Sequence, residues 1–249
     1  MLKILTNNLV KLVHACGYDL SRRLPTFPPD ELAIMAQVRS FTMTSDTQLC
    51  GLIHAVRYVV QNHIEGDFVE CGVWRGGSMM AMAYSLLALG ETRPLHLFDT
   101  FEGMSAPTDQ DVHPGGWRAQ ELLDAAKSKK TADIWAYASL EDVQRNMRST
   151  GYPQEQLRYV KGKVEDTLPQ KMPAKIALLR LDTDWYESTR HELIHLYPLL
   201  APNGVLIIDD YGHWAGSRKA TDEYFAGLKF QPFLNRLDYA GRLLVKPVA

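Results

Sequence analysis

Two apolar runs in the sequence stop on acidic residues, Ile176 to Asp182 and Val205 to Asp210. As parallel strands of one sheet, both would end on the same rim, where Asp182, Asp209 and Asp210 converge. Carboxylates gathered there repel one another and raise their own pKa values unless a cation lies between them. An all-oxygen set selects a hard ion, and magnesium suits it best. Such an ion answers a chemical need, because an alcohol is a poor nucleophile at neutral pH. A hydroxyl chelated there would lose its proton more readily, with either Asp182 or His213 as the base.

A third run, Asp67 to Gly72, continues through Val73-Trp74-Arg75-Gly76-Gly77-Ser78, where glycines let the backbone turn and approach a ligand closely. A nicotinamide dinucleotide would want glycine where Glu70 stands, since a carboxylate repels a pyrophosphate. S-adenosylmethionine carries an ammonium and a sulfonium, which Glu70 suits, and the amides after Gly72 can receive its carboxylate. Asp99 ends the next apolar run, Leu95 to Asp99, and is placed to accept from both ribose hydroxyls. Read more plainly, the same residues are a turn and a helix cap.

The elements that would position these residues alternate along the chain. Ser45 and Gln48 form a capping-box pattern ahead of Leu49, Leu52, Ile53, Val56, Val59 and Val60 at helical spacing. A second helix is expected over about Gly77 to Leu89. A third strand falls near Leu157 to Lys161. Continuous apolar strands between helices predict a parallel, doubly wound α/β sheet. Leu228 to Leu234 and Arg242 to Val245 are near enough to pair antiparallel through a turn at Asp238 to Gly241. A terminal antiparallel hairpin is the methyltransferase form of this Rossmann-like architecture, giving a mostly parallel seven-stranded sheet. Pro25, Pro28 and Pro29 mark off a helical N-terminal arm, residues 1–40, from the domain at 41–249.

Composition narrows the function classes. The chain has 249 residues, 46% hydrophobic and 22% charged, enough for one large core. A net charge of -2, with no Lys/Arg run interleaved with aromatics, argues against nucleic acid. Cys16, Cys50 and Cys71 are an odd set without a Cys-x-x-Cys pair, as expected of free thiols in the cytoplasm. The stretch Leu2 to Ala15 is amphipathic and interrupted by Asn7, Asn8, Lys11 and His14, unlike a signal peptide. It would serve as a dimer contact or a weak surface anchor. No segment approaches the roughly 20 apolar residues of a membrane span. His191-Glu192-Leu193-Ile194-His195 matches the zinc-protease pattern. If Leu193, Leu196, Tyr197 and Leu200 form the core face, both histidines project from the solvated side.

Read in order, Phe41 to Thr44, Gly66 to Ser78, Asp99 to Gly103, Glu165 to Pro169, Leu181 to Thr189 and Asp209-Asp210-Tyr211 resemble the macrocin O-methyltransferase family from about residue 39 to 226. The resemblance implies a class I, S-adenosylmethionine- and metal-dependent O-methyltransferase acting on a sugar-like hydroxyl of a small molecule or glycan, built as a homo-oligomer with lids. By matching positions, Asp182, Asp209 and Asp210 would hold the metal, with Asp182 the favoured base. Glu70, Gly72, Ser78 and Asp99 would hold the cofactor, Thr42 and Met43 would touch it from the arm, and Glu165 or Asp166 would lie near the adenine. The stretch Gly103 to Tyr137, where the family's substrate lid falls, is the part that differs, so the resemblance leaves the acceptor open. There Trp117 and Trp135 would line a substrate pocket or pack within the lid. The rival readings are a nicotinamide dehydrogenase, a cofactor-binding assembly partner without activity, and a zinc hydrolase.

Overall fold

A computed structural model describes residues 10–17, 27–126, 128 and 133–248. The expectation for Leu2 to Ala15 falls partly outside them. Helices α1 (Pro29–Val38) and α2 (Asp46–Gln61) precede strand β1 (Asp67–Cys71), helix α3 (Gly77–Ala88) and strand β2 (Leu95–Asp99). A long insertion holding α4 (Ala119–Ala125) and then α5 (Leu140–Ser149) lead to β3 (Leu157–Lys161), α6 (Val164–Thr167) and β4 (Ile176–Leu181). Then come α7 (Tyr186–Leu196), β5 (Leu200–Ile208), α8 (Ala215–Ala226), β6 (Asn235–Arg236) and β7 (Arg242–Val245).

The seven strands form one sheet in the order β3-β2-β1-β4-β5-β7-β6. Strands β1 to β5 are parallel, while β7 runs antiparallel to β5 and pairs with β6. This is the expected class I methyltransferase sheet with its antiparallel end. Strand side chains alternate between two cores. Phe68 and Leu178 join Ile34, Leu52, Val56, Met79 and Met82 on the face covered by α1, α2, α3 and α5. Val69, Cys71, Leu179 and Leu181 join Leu193, Leu196 and Phe225 on the face covered by α7 and α8.

Two local expectations need correction. The outermost strand is Asn235–Arg236, not Leu228 to Leu234. Pro232 in that segment has no amide to give a ladder, and Phe233 is turned out to solvent. The capping box is half formed. Ser45 Oγ accepts from Gln48 N at 3.2 Å, but the Gln48 side chain donates to Asp238 Oδ1 at 3.2 Å instead of returning to the cap. Asp238 also accepts from Ser45 Oγ at 2.7 Å and from the amides of Ala240 and Gly241. The terminal hairpin is thereby tied to the start of α2.

Candidate active site

The strand order reverses direction of growth at β1, whose neighbours are β2 and β4, and the carboxyl ends around that point open into a cavity of about 420 Å³. A ligand crevice is expected there. Of the residues picked from the sequence, Thr42, Met43, Gly72, Ser78, Asp99, Glu165, Asp182, Asp209, Asp210 and His213 line it. Glu70 and Asp166 do not. Glu70 is fully buried beneath the wall.

Gly72 makes the turn after β1 with φ of +79°. Asp99, at the end of β2, braces this turn. Its Oδ2 accepts from Val73 N at 2.8 Å and Trp74 N at 3.1 Å, and its Oδ1 accepts from Phe101 N at 2.7 Å. Burial raises the Asp99 pKa against these amide bonds. The arm closes one side. Thr44 Oγ1 lies 3.3 Å from Ser78 Oγ, and the Phe41 backbone and the Thr42 side chain pack onto Gly77.

Arg180 is the hub of the acidic side and is fully buried. Its Nη1 donates to Glu70 Oε1 and, at 2.6 Å, to Asp182 Oδ2; its Nη2 donates to Asp209 Oδ1 and, at 3.0 Å, to Thr44 Oγ1. Glu70 and Arg180 are register partners on β1 and β4. A charge buried this deeply is tolerated only when paired.

Asp182, Asp184 and Asp210 offer carboxylate oxygens within 4.8 Å of one another. Asp209 stands beside them but directs an oxygen to Arg180. Asp184 holds a left-handed backbone, φ +66°, and its Oδ1 accepts from Trp214 Nε1 at 2.8 Å. Burial pushes Asp184 and Asp209 up to about 7 and Asp210 well above the carboxylate range. Burial also raises Asp182, against the Arg180 guanidinium. Asp210 Oδ2 and Glu70 Oε2 are buried with no hydrogen-bond partner among the described residues. An orphaned buried oxygen beside two further carboxylates fits a hard divalent cation.

Beyond the acidic cluster the site is aromatic. Trp185 and Trp214 meet edge to face at 5.1 Å, and Trp185 Nε1 donates to Ser105 O at 3.0 Å. The His213 ring lies 5.0 Å from Trp214, and Tyr239 Oη is 2.9 Å from His213 Nδ1. Burial lowers the His213 pKa, and His113 adds to the effect. Of the two insertion tryptophans, Trp135 packs against the small cluster of Ala119, Leu123, Trp185 and Trp214, while Trp117 is exposed and stacks on His113. Neither lines the cavity.

Sequence reasoning passed over Arg180, Asp184, Trp185, Trp214, Thr44, Gln48 and Asp238. A signal for Arg180 existed, since an arginine inside Ile176 to Leu181 needs a buried anion. The zinc-protease pattern resolves otherwise. His191 and His195 are partly exposed while Leu193 and Leu196 face the core, and their rings lie 4.4 Å apart. Glu192 points inward and is fully buried. No third metal-ligating group joins this histidine pair among the described residues.

The macrocin-O-methyltransferase (TylF) family profile matches residues 28–246. The chain belongs to the macrocin-O-methyltransferase family. It is an enzyme, an S-adenosylmethionine-dependent O-methyltransferase. Demethyldecarbamoylnovobiocin O-methyltransferase of Streptomyces niveus is 33% identical over 201 residues, 80% of this chain and 73% of that protein. Mycinamicin III 3''-O-methyltransferase of Micromonospora griseorubida is 35% identical over 184 residues, 74% of this chain and 69% of that one. Among solved structures, the O-methyltransferase NovP superposes with a TM-score of 0.71 at 32% identity, covering 84% of this chain and 83% of its own. Calicheamicin methyltransferase CalS11, at 18% identity and a TM-score of 0.62, covers 90% of this chain and 94% of its own and shares the fold. No helix among the described residues of this O-methyltransferase is long and apolar enough to cross a membrane.

Proposed function

We propose that this enzyme methylates a hydroxyl of a sugar, free or carried on a small molecule or glycan, with the help of a hard divalent cation. The observation that carries the reading is one of charge. One buried guanidinium, Arg180, pairs with Glu70, Asp182 and Asp209, and Asp184 and Asp210 crowd against Asp182 beside it. A sulfonium and a dication are the positive charges that such a cluster would accommodate. The relatives named for novobiocin and mycinamicin methylation support a glycosylated acceptor.

When bound, S-adenosylmethionine supplies an electrophilic methyl group, and magnesium supplies Lewis acidity that lowers the pKa of a chelated hydroxyl. Thr42, Met43, Gly72, Ser78 and Glu165 would hold the cofactor from the cavity wall. Asp99 would reach its ribose while bracing the glycine turn, and Glu70 would act on its ammonium side from beneath, sharing its charge with Arg180. Asp182, Asp209 and Asp210 would hold the cation, with Asp184 as a further carboxylate in the cluster. Asp182, oriented through Oδ2 by Arg180, would take the proton of the attacking hydroxyl. His213, held at Nδ1 by Tyr239, is the alternative base. Trp185 and Trp214 would exclude water from the reacting atoms. The exposed Leu12 and Leu32 of the arm support a homo-oligomer, and the free cysteines support a cytoplasmic setting.

Titration calorimetry with S-adenosylmethionine and with NADH, each with magnesium and with a chelator, tests the cofactor. A mass-spectrometric screen of glycosides and sugar nucleotides for methylation tests the acceptor. Asp182→Asn is expected to abolish turnover and leave cofactor affinity nearly unchanged. Lost cofactor affinity with normal turnover at saturation would remove Asp182 from the acceptor side.

A further inference from the structure

Away from the cavity, α1 and α2 bring a thiol, an imidazole and a carboxylate together. Cys50 and His54 are one turn apart on the same face of α2. Both meet Glu31, which projects from α1 and is fully buried. Cys50 Sγ lies 3.4 Å from Glu31 Oε2 and 3.8 Å from His54 Nε2, and His54 Nε2 lies 2.8 Å from Glu31 Oε1. Arg57 grips the other side of the carboxylate, donating through Nη1 to Glu31 Oε1 at 2.7 Å and through Nη2 to Asp30 Oδ2 at 2.5 Å.

An ion pair between Glu31 and Arg57 would by itself account for the buried carboxylate. It gives no reason for a thiol and an imidazole to be directed at the same group. Tetrahedral zinc, with Zn–S of about 2.3 Å and Zn–N and Zn–O of about 2.0 Å, separates its ligand atoms by about 3.3 to 3.6 Å. The two sulfur distances are already within about 0.3 Å of that range. Glu31, Cys50 and His54 offer ligand atoms within 4.8 Å of one another, and the His54 side chain, 57% exposed, is free to turn its ring nitrogen from Oε1 into the tetrahedral position.

We propose that Glu31 Oε2, Cys50 Sγ and one ring nitrogen of His54 form a binding site for zinc or a similar thiophilic divalent cation, with solvent in the fourth position. The mixed sulfur, nitrogen and oxygen donors set it apart from the all-oxygen cluster of the cavity. Thiolate and carboxylate together neutralise the dication, and Arg57, itself balanced by Asp30, holds the carboxylate in orientation. Burial and the neighbouring Glu31 push the Cys50 thiol up to about 11, so uptake releases the thiol proton to solvent. The ion staples α1 to α2. Because α1 runs through Arg39–Phe41 into the wall residues Thr42 to Thr44, the staple steadies the arm beside the cavity.

The reduced, metal-stripped full chain, with magnesium in excess to occupy the carboxylate cluster, is titrated with cobalt(II). The expected result is a thiolate-to-cobalt charge-transfer absorption that saturates at one equivalent and is abolished by zinc. The band is lost in Cys50→Ser and needs at least tenfold more cobalt in His54→Ala. Zinc raises the melting temperature of the wild type but not of either variant. No charge-transfer band, or one that survives Cys50→Ser, overturns the proposal. Should Cys50→Ser fail to fold, His54→Ala decides, since its side chain is largely in solvent; an unchanged cobalt affinity overturns the site.

Discussion

A Cβ placed on Gly72 would stand 1.9 Å from the carbonyl oxygen of Asp182. The glycine turn after β1 and the acidic loop after β4 are therefore packed backbone on backbone, and the Asp182 amide donates to Cys71 O at 2.8 Å across the same seam. The proposed methyl-donor side and acceptor side would meet here across backbone, with the Thr183 methyl at the edge of the contact.

Gly72→Ala is expected to damage both sides at once. The clash is with backbone, which cannot rotate away, and φ of +79° adds strain for any residue with a Cβ. A fall in kcat/KM of at least about 100-fold is expected, from the sensitivity of catalysis to misplacements near 1 Å. Denaturant melts should show a stability loss of about 1–3 kcal/mol. Wild-type kinetics in this variant would show that the seam is unimportant.

Gly77→Ala probes the arm instead. A Cβ there would lie 2.5 Å from Phe41 O and 2.6 Å from Thr42 Cβ, so the arm must lift while the sheet stays in place. Cofactor affinity should fall about tenfold, equivalent to about 1.4 kcal/mol. The loss should exceed any change in melting temperature of the main core, and calorimetry with S-adenosylmethionine beside a thermal melt separates the two.

The strand ends were legible in the sequence because apolar runs of the parallel sheet stop abruptly on a glycine or an acidic residue, as at Gly72, Asp99 and Asp182. The cavity wall followed from those stops. What periodicity does not carry is partnership across strands. Glu70 reads from the sequence as a cofactor ligand alone, and its pairing with Arg180 becomes visible only once β1 and β4 are seen to be neighbours in register. Thr44 and Arg180 are 136 residues apart, and nothing local to either announces their bond. Leu228 to Leu234 reads as a strand because it lies close enough to Arg242 to Val245 to pair through the turn at Asp238 to Gly241, yet Pro232 breaks the ladder that pairing would need.

Metal binding to the acidic cluster should strengthen with pH. Burial first, then the charge of neighbouring carboxylates, pushes Asp184 and Asp209 up to about 7 in the metal-free protein. A cation must displace those protons, so magnesium affinity rises through about pH 7 and weakens below it. The sign for stability is opposite. With folded pKa values raised above the ordinary 3.8, these groups lend stability that is fully present below 3.8 and lost as pH rises through about 7. Chelated protein should therefore gain more from added magnesium at pH 8 than at pH 6. Calorimetry in two buffers of different ionisation enthalpy counts the protons released, and a pH-independent affinity would contradict the shifts.

Glu192 belongs to the zinc-protease pattern by sequence but acts on the acidic loop by position. Its Oε1 accepts from Thr183 Oγ1 at 2.9 Å, and Thr183 lies between Asp182 and Asp184. Its Oε2 is buried with no hydrogen-bond partner among the described residues. Burial raises its pKa well above the ordinary carboxylate value and so favours the neutral acid. A neutral acid and an amide are nearly the same shape, and both offer a carbonyl oxygen to Thr183. Glu192→Gln should therefore keep kcat within about twofold, a barrier change below about 0.5 kcal/mol. Glu192→Ala leaves a void and frees Thr183, lowering stability by about 2–4 kcal/mol. It should also weaken magnesium binding as Asp182 and Asp184 lose their shared orientation. If Gln proves as damaging as Ala, Glu192 carries a charge in the folded protein and the neutral-acid assignment fails; if Ala leaves magnesium affinity untouched, Thr183 holds the loop without help.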